Sequence, residues 1–389
     1  MARSRPPRAP RQIGVAMIGQ QFMGRAHGNA WGQVAKFFDL PAVPRLVTIA
    51  ARDAGSLGPF ARRWGWERYT TDWRLIAPDP EIDLVDIATP NHVHAEPSIA
   101  MLEAGKHVAC EKPLAGTLAD ARAMREAARR AKGKTFVWFN YRRCPAVGTA
   151  WRLIREGALG RIYHVRAHYL QSWGGKETPL LWRFRKRLAG SGAHGDLNAH
   201  LVDLARFLTG QEVVSVDGAV SKTVITRRTI PGTRRKGRSD VDDATLFLAT
   251  MAGGAVASFE ASRVATGHQN DNTIELNGER GSLRFSFEEM NLLWYFDATL
   301  PKRTQGWRRI MCTTPGEHPY AEHWWPEAHL LGYEHGFVNM AADILKVLGR
   351  RRPELPIPDF ADAYETQRVL EAAMLSARER CAVPLREVR

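Results

Sequence analysis

Hydrophobic and polar positions along this chain fall into two textures. Up to about residue 140, short apolar runs of strand length alternate with longer stretches of helical periodicity. The spacing predicts strands at 13–18, 46–50, 84–88, 107–110 and 135–139, and helices at 95–104 and 117–132, with Thr117 as the N-cap of the second helix. Strand, turn, helix and strand in that order make the first crossover of a doubly wound parallel sheet. The alternation stops near Asn140-Tyr141.

Beyond that point the runs alternate with a period of two and are rich in β-branched and aromatic residues. They predict strands at 162–170, 213–225, 244–250, 255–261, 273–276 and 282–287. Glycine turns at Gly253-Gly254 and between Gly278 and Gly281 separate the later ones, as an antiparallel meander requires. Helices are expected at 197–208, 332–348 and 361–377. The resulting expectation is an α/β nucleotide-type domain at 11–141, followed by an α+β domain at 142–389. No internal repeat or extended low-complexity tract appears.

Composition changes this picture little. With 389 residues, 44% hydrophobic and 25% charged, the chain suits two domains with full cores. Its net charge of +14 is arginine-heavy and local: a tail at 1–11, a run from Arg227 to Arg238 around Pro231-Gly232, and Arg350 to Arg352. These read as solvated surface, the middle run as a loop, because no aromatic interleaving or nucleic-acid motif accompanies them. Such charge suits a phosphorylated cofactor or an acidic sugar without identifying either. The four cysteines, Cys110, Cys144, Cys312 and Cys381, are far apart and form no CxxC pair, so a reducing cytoplasm fits. No apolar stretch reaches the roughly 18 residues that span a bilayer. The expectation is a soluble, unexported protein with neither a nucleic-acid nor a membrane partner.

Chemistry concentrates at the ends of the early strands. After the first strand, Gly19 and Gly24 hold the outer positions of a dinucleotide fingerprint while Gln21 replaces the middle glycine. The outer glycines permit the tight turn that aims a helix amino end at a pyrophosphate, whereas Gln21 brings a side chain where backbone should approach. After the second strand, Ala50-Ala51-Arg52-Asp53 lacks an acid at the first position. Arg52 suits adenine or a 2′-phosphate, Asp53 suits a helix cap, and NAD and NADP both stay open. Two further strands end in Thr89-Pro90-Asn91 and Glu111-Lys112-Pro113, so their carboxyl ends meet at one crevice and a lysine is placed there.

The second site-like segment runs from Ser191 to Asp203. On a helix, Asp196, His200 and Asp203 would share one face at spacings of four and three. A carboxylate beside an imidazole suits proton removal from a hydroxyl; the bland alternative is a cap and a hydrogen-bonded histidine. His92 and His94 invite a metal reading but lack further ligands at a recognisable spacing, so no metal is expected. Residues 322–335 offer histidines and glutamates that suit aromatic packing better than ligation. Trp173, Trp182 and Arg183 either cover a pocket or anchor a loop.

In this order the motifs resemble the Gfo/Idh/MocA family, named for glucose-fructose oxidoreductase, inositol 2-dehydrogenase and a rhizopine catabolism protein. The resemblance rests on Gly19 to His27, Thr89-Pro90-Asn91 with His94, Glu111-Lys112-Pro113, Tyr141-Arg142, Trp182-Arg183-Phe184 and Gly192 to Asp203. It implies a Rossmann domain and a C-terminal domain with a large, mostly antiparallel open sheet that mediates dimers or tetramers. It also implies a cis Lys112-Pro113 bond. Cofactor contacts would come from Gly19, Gln21, Phe22, Met23, Gly24, Arg52, Thr89, Pro90, Asn91, His94, Glu111 and Lys112. Substrate contacts would come from Tyr141, Trp173, Trp182, Arg183, Asp196 and His200. Lys112 would hydrogen-bond the reacting hydroxyl, Asp196 would orient substrate, and His200 would be the general base of an NAD(P)-dependent oxidoreductase acting on a sugar, cyclitol or related polyol. Asn198, where the family more often shows glycine, is expected to reshape the pocket floor. The competing reading is a dinucleotide or sugar sensor on the same scaffold, supported by Gln21 and opposed by the intact lysine, aspartate and histidine set. A nucleic-acid binder stands third.

Overall fold

A computed structural model describes residues 10–389; most of the arginine-rich tail at 1–11 lies outside the described residues. The first texture folds as β1 (Arg11–Ile18), α1 (Phe22–Phe37), β2 (Ala42–Ala50), α2 (Ala54–Trp64), β3 (Arg68–Thr70), β4 (Leu84–Ile87), α3 (Ala95–Glu103), β5 (His107–Cys110), α4 (Leu118–Arg130) and β6 (Thr135–Val137). These strands form one parallel sheet in the order β3-β2-β1-β4-β5-β6. Strand order reverses between β1 and β4, and at such a switch point the carboxyl ends of neighbouring strands open a crevice for ligand. The central strands β4 and β5 are buried on both faces, which is why they read as short continuous apolar runs. Thr117 caps α4 by accepting from the Asp120 amide, as expected.

The second texture adds α5 (Pro145–Arg155), β7 (Ile162–Leu170), α6 (Lys186–Ala189), α7 (Ala199–Thr209), β8 (Val213–Lys222), β9 (Arg227–Thr229), β10 (Lys236–Arg238), β11 (Ala244–Met251), β12 (Val256–Ser262), β13 (Asp271–Gly278), β14 (Gly281–Ser286), β15 (Leu292–Asp297), β16 (Trp307–Met311), α8 (Tyr333–Leu348), α9 (Phe360–Glu379) and β17 (Val383–Pro384). Nine strands form one sheet, β16-β15-β14-β13-β7-β12-β11-β8-β17, antiparallel except where β7 and β12 run parallel. One face packs under α5, α7 and α9, which explains the alternation of buried and more exposed residues along β11 and, from Val165 on, along β7. The last helices return to the first sheet: α8 lies on α1, α9 lies on α4, and the Val137 amide donates to Pro358 O at 2.9 Å. The crevice at the switch point is thereby walled by both sheets.

The run from Arg227 to Arg238 is corrected here. It is a hairpin of β9 and β10 rather than a free loop, and Arg228 is fully buried, donating to Gly174 O, Gly175 O and Asp243 Oδ1. Leu180, Phe184 and Val241 form a small separate core beneath it, with Ile230 packed against them. The hairpin buttresses the segment that covers the cavity described next. Strands β15 and β16 and helix α5 also lie outside the elements expected from pattern.

Candidate active site

Gly19 adopts a φ of +118°, and a Cβ there would lie 2.3 Å from Ala88 O at the end of β4, so only glycine lets the β1 turn back onto that strand. A Cβ on Gly24 would sit equally close to Gly19 O. Gln21 at the N-cap makes no side-chain capping bond and is exposed. It therefore leaves the first-turn amides of α1 open to an anion. The cradle for a dinucleotide phosphate survives the missing glycine, and the residues present fit the group.

Asp53 caps α2 by accepting from the Gly55 amide, and Arg52 is exposed beside it. The His94 ring is buried, with its nitrogens 3.0 Å from Pro113 O and 2.9 Å from Thr89 O. It ties the Thr89-Pro90-Asn91 turn to the Lys112-Pro113 turn and does not face the cavity. His92 likewise spends a ring nitrogen on Leu188 O at 2.9 Å. The Lys112-Pro113 bond is cis, as the resemblance implied.

A cavity of about 650 Å³ opens at this crevice. Phe22, Met23, Thr89, Asn91, Glu111 and Lys112 line it from the first sheet; Tyr141, Trp173, Trp182, Arg183, Asp196 and His200 line it from the second half of the chain. Of the cofactor and substrate contacts that the resemblance implied, Gly19, Gln21, Gly24, Arg52, Pro90 and His94 are not brought onto its wall.

Asp196 sits in a one-turn π-helix, His194–Asn198, just before α7. Asp242 starts this segment by accepting from the Gly192 and His194 amides at 2.6 and 2.7 Å. The wider turn sets Asp196 toward Lys112, whose ammonium donates to Asp196 O and Oδ1, both at 3.0 Å. Arg263, at the end of β12, donates to Asp196 Oδ2 at 3.0 Å. Burial alone would raise the Asp196 carboxyl, but the charges of Lys112, Arg263 and Arg183 outweigh it and hold the group well below the ordinary carboxylate range.

His200 is buried among rings, with Tyr141 at 4.4 Å and Phe139 at 6.2 Å between centroids. Burial and the charge of Lys112 push its pKa well below 6.5, and Asp196 offsets only part of this. The imidazole is therefore neutral at physiological pH, the form that can take a proton.

Asp203 does not join them in the cavity, which corrects the expectation that all three serve one site. Buried off the cavity wall, it accepts from Arg142 Nε at 2.8 Å, and Arg142 also meets Asp362 at 2.6 Å. Asn198 is corrected as well: its amide donates toward His194 Nδ1 and to Thr245 O, away from the cavity floor. Residues 322–335 mostly clamp the end of α1, with Trp324 4.5 Å from Phe37 and His323 4.2 Å from Phe38; of them Tyr333 alone reaches the cavity.

Several wall residues escaped the sequence reading. Tyr141 and Tyr169 share a hydrogen bond of 2.8 Å, Tyr169 donates to Asn270 at 2.6 Å, and Gln171 donates to the same Asn270 oxygen at 2.7 Å. This polar chain, with Arg263, gives the cavity donors and acceptors of the kind that read sugar hydroxyls. Tyr169 and Gln171 continue the buried face of β7 at a period of two, the one signal that could have found them.

Comparison with known proteins agrees with this geometry. Residues 13–139 match the oxidoreductase family with an NAD-binding Rossmann fold, and residues 147–284 match the GFO/IDH/MocA C-terminal domain. Levoglucosan dehydrogenase of Pseudarthrobacter phenanthrenivorans is 40% identical over 97% of this chain and 99% of its own. D-apiose dehydrogenase of Paraburkholderia graminis is 28% identical over 96% and 90%. A structure of levoglucosan dehydrogenase in complex with NADH and levoglucosan superposes with a TM-score of 0.91 at 41% identity, covering 96% of this chain and 99% of that one. An oxidoreductase domain protein from Kribbella flavida gives 0.92 at 46% identity, with the same coverage. The chain belongs to the Gfo/Idh/MocA family, as an NAD-binding oxidoreductase of sugars or related polyols.

Proposed function

We propose that this protein oxidises a secondary hydroxyl of an anhydrosugar or closely related pyranose with NAD⁺, levoglucosan being the first substrate to test. The observation that carries this reading is the meeting of Lys112, Asp196 and His200 on one cavity beside the open amino end of α1. The full-length likeness to levoglucosan dehydrogenase supports the substrate class.

When bound, the nicotinamide accepts the hydride of the carbinol C–H bond. Lys112 donates a hydrogen bond to the reacting oxygen and stabilises its developing negative charge. Neutral His200 takes the hydroxyl proton. Asp196, pinned by Lys112 and Arg263, accepts from a neighbouring hydroxyl and fixes the ring. Met23, Thr89 and Asn91, on the cavity wall, would hold the carrier, while the chain from Tyr141 to Gln171 would read the remaining hydroxyls.

Our division of the chain at 141/142 is supported by the end of β6 at Val137 and by the gap between the two family matches. Exposed Val220, Leu246, Leu248 and Val256 on the outer face of the nine-stranded sheet support a homodimer or homotetramer through that face, to be checked by light scattering. The four unpaired cysteines support a cytoplasmic setting.

The test is to purify the protein, denature it, identify any released dinucleotide by mass spectrometry, and follow NADH formation on levoglucosan, inositols and aldoses. Turnover of levoglucosan at a kcat/KM well above that of the inositols supports the reading. Turnover of inositols alone rejects it.

A further inference from the structure

His27 is fully buried in α1 and makes no contact with the cavity, yet it carries an unusual set of partners. Its Nδ1 lies 3.0 and 3.1 Å from the two carboxylate oxygens of Asp86, on β4. Its Nε2 lies 3.0 Å from Glu111 Oε1, just past β5. A neutral imidazole has one N–H and can donate to only one carboxylate; with both acids ionised, both contacts are hydrogen bonds only when the ring is doubly protonated. Burial opposes that charge, but Asp86 and Glu111 outweigh it and raise the pKa to about 9.

The surroundings hold this ion triplet in one geometry. Trp31 and Trp138 donate their indole N–H groups to Asp86 Oδ2 and Oδ1 at 2.7 and 2.9 Å, so Asp86 is fully engaged. Trp138 covers the imidazole at 4.2 Å and Phe337 closes it at 5.5 Å. The other oxygen of Glu111, Oε2, accepts the backbone amide of Lys112 at 3.0 Å. An unbroken chain therefore runs from Asp86 through His27 and Glu111 to the Lys112 backbone, whose side chain ends at Asp196. It ties the helix that begins at the nucleotide turn to the turn that carries the lysine.

We propose that His27 is a positioning residue for the hydride-transfer site: as an imidazolium clamped between Asp86 and Glu111, it fixes the Lys112 turn so that the ammonium meets the reacting hydroxyl. The inference rests on the reading of Lys112 as the residue at that hydroxyl. A clamp that merely filled the core would not need a charge balanced between two acids, and an apolar pair of the same volume would serve equally well.

Two measurements test it. The first is NMR on ¹⁵N-histidine-labelled protein at about pH 8, between the ordinary 6.5 and the value near 9. One of the 13 histidines should show two ring N–H protons, and His27→Gln should remove that signal. A neutral His27 ring overturns the proposal.

The second is a double-mutant cycle of His27→Gln with Lys112→Met, with Glu111→Gln as the alternative arm should His27→Gln fold poorly. Misplacing the lysine by about 1 Å should lower kcat on the order of 10–100-fold, with NADH affinity within about threefold of wild type. In the Lys112→Met background the same change should cost almost nothing, because its route to the chemistry is already gone. Additive losses in the two backgrounds, or unchanged kcat in His27→Gln, overturn the proposal. Undiminished turnover in Lys112→Met alone instead rejects the underlying assignment of Lys112, an outcome the NMR arm does not depend on.

Discussion

Two buried histidines sit close to this cavity and are held in opposite charge states. His27, in the Rossmann half, lies between Asp86 and Glu111, which keep it protonated up to about pH 9. His200, in the C-terminal half, lies among aromatic rings beside Lys112, which keep it neutral well below pH 6.5. Burial is common to both and opposes charge in both, so the sign of the nearest neighbours decides. The charged ring cannot accept a proton and serves as a fixture. The neutral ring can, and it faces the substrate cavity.

The comparison breaks most directly at His200. Replacing it with alanine should lower kcat by about 10²–10⁴-fold, the usual contribution of a general base, while NADH affinity measured by fluorescence titration stays within about threefold. Undiminished turnover would remove the asymmetry between the rings.

A second contrast, between Asp196 and Asp203, sharpens the first. Seven residues apart, Asp196 faces the cavity with its pKa depressed by burial-defying cations, whereas Asp203 is sealed with Arg142 and burial pushes its pKa up to about 6. Arg142→Met leaves the buried Asp203 carboxylate without its cation and should cost on the order of 3–5 kcal/mol in denaturant unfolding. Turnover per folded molecule should stay near wild type; a loss of kcat on the scale of His200→Ala would place Asp203 in the site after all.

The pH dependence separates the histidines again. His27 has its pKa raised on folding, so its contribution to stability is complete below 6.5 and fades as pH rises to about 9. The melting temperature should fall across that window, and His27→Gln should flatten the fall. His200 is shifted the other way, so the acid limb of kcat/KM should lie below pH 6.5. A limb centred at or above that value would contradict the neutral-ring assignment. The smallest effect is expected at Gln21, whose side chain is exposed and caps nothing: Gln21→Gly should change NADH affinity less than about threefold.

Much of this architecture is legible in the residues themselves. Parallel strands buried on both faces leave short apolar runs between helices, so β1, β4 and β5 announce themselves, and the turns after them carry Gly19, Thr89 and Lys112. Helix periodicity finds α4 with its Thr117 cap. Spacing fails where partners come from afar. It grouped Asp203 with Asp196 and His200, but only the latter two reach the cavity, and Arg142 claims Asp203. Arg228 reads as one more arginine in a solvated run until the hairpin buries it under Phe184. Arg263, Tyr169 and Asn270 reach the cavity only because β7 and β12 are neighbours and β13 follows, a pairing no local pattern encodes. His27 lies within the recognised turn, yet its two acids stand 59 and 84 residues away.

The central claim is that the Lys112 ammonium and the His200 imidazole act on the same hydroxyl. A crystal structure with NADH and an unreactive sugar analogue tests it most directly. The account predicts one ligand oxygen within about 3.2 Å of both Lys112 Nζ and a His200 ring nitrogen, with the adjoining carbon facing the nicotinamide. A ligand oxygen held by Lys112 while His200 faces only Tyr141 and Phe139 would contradict it.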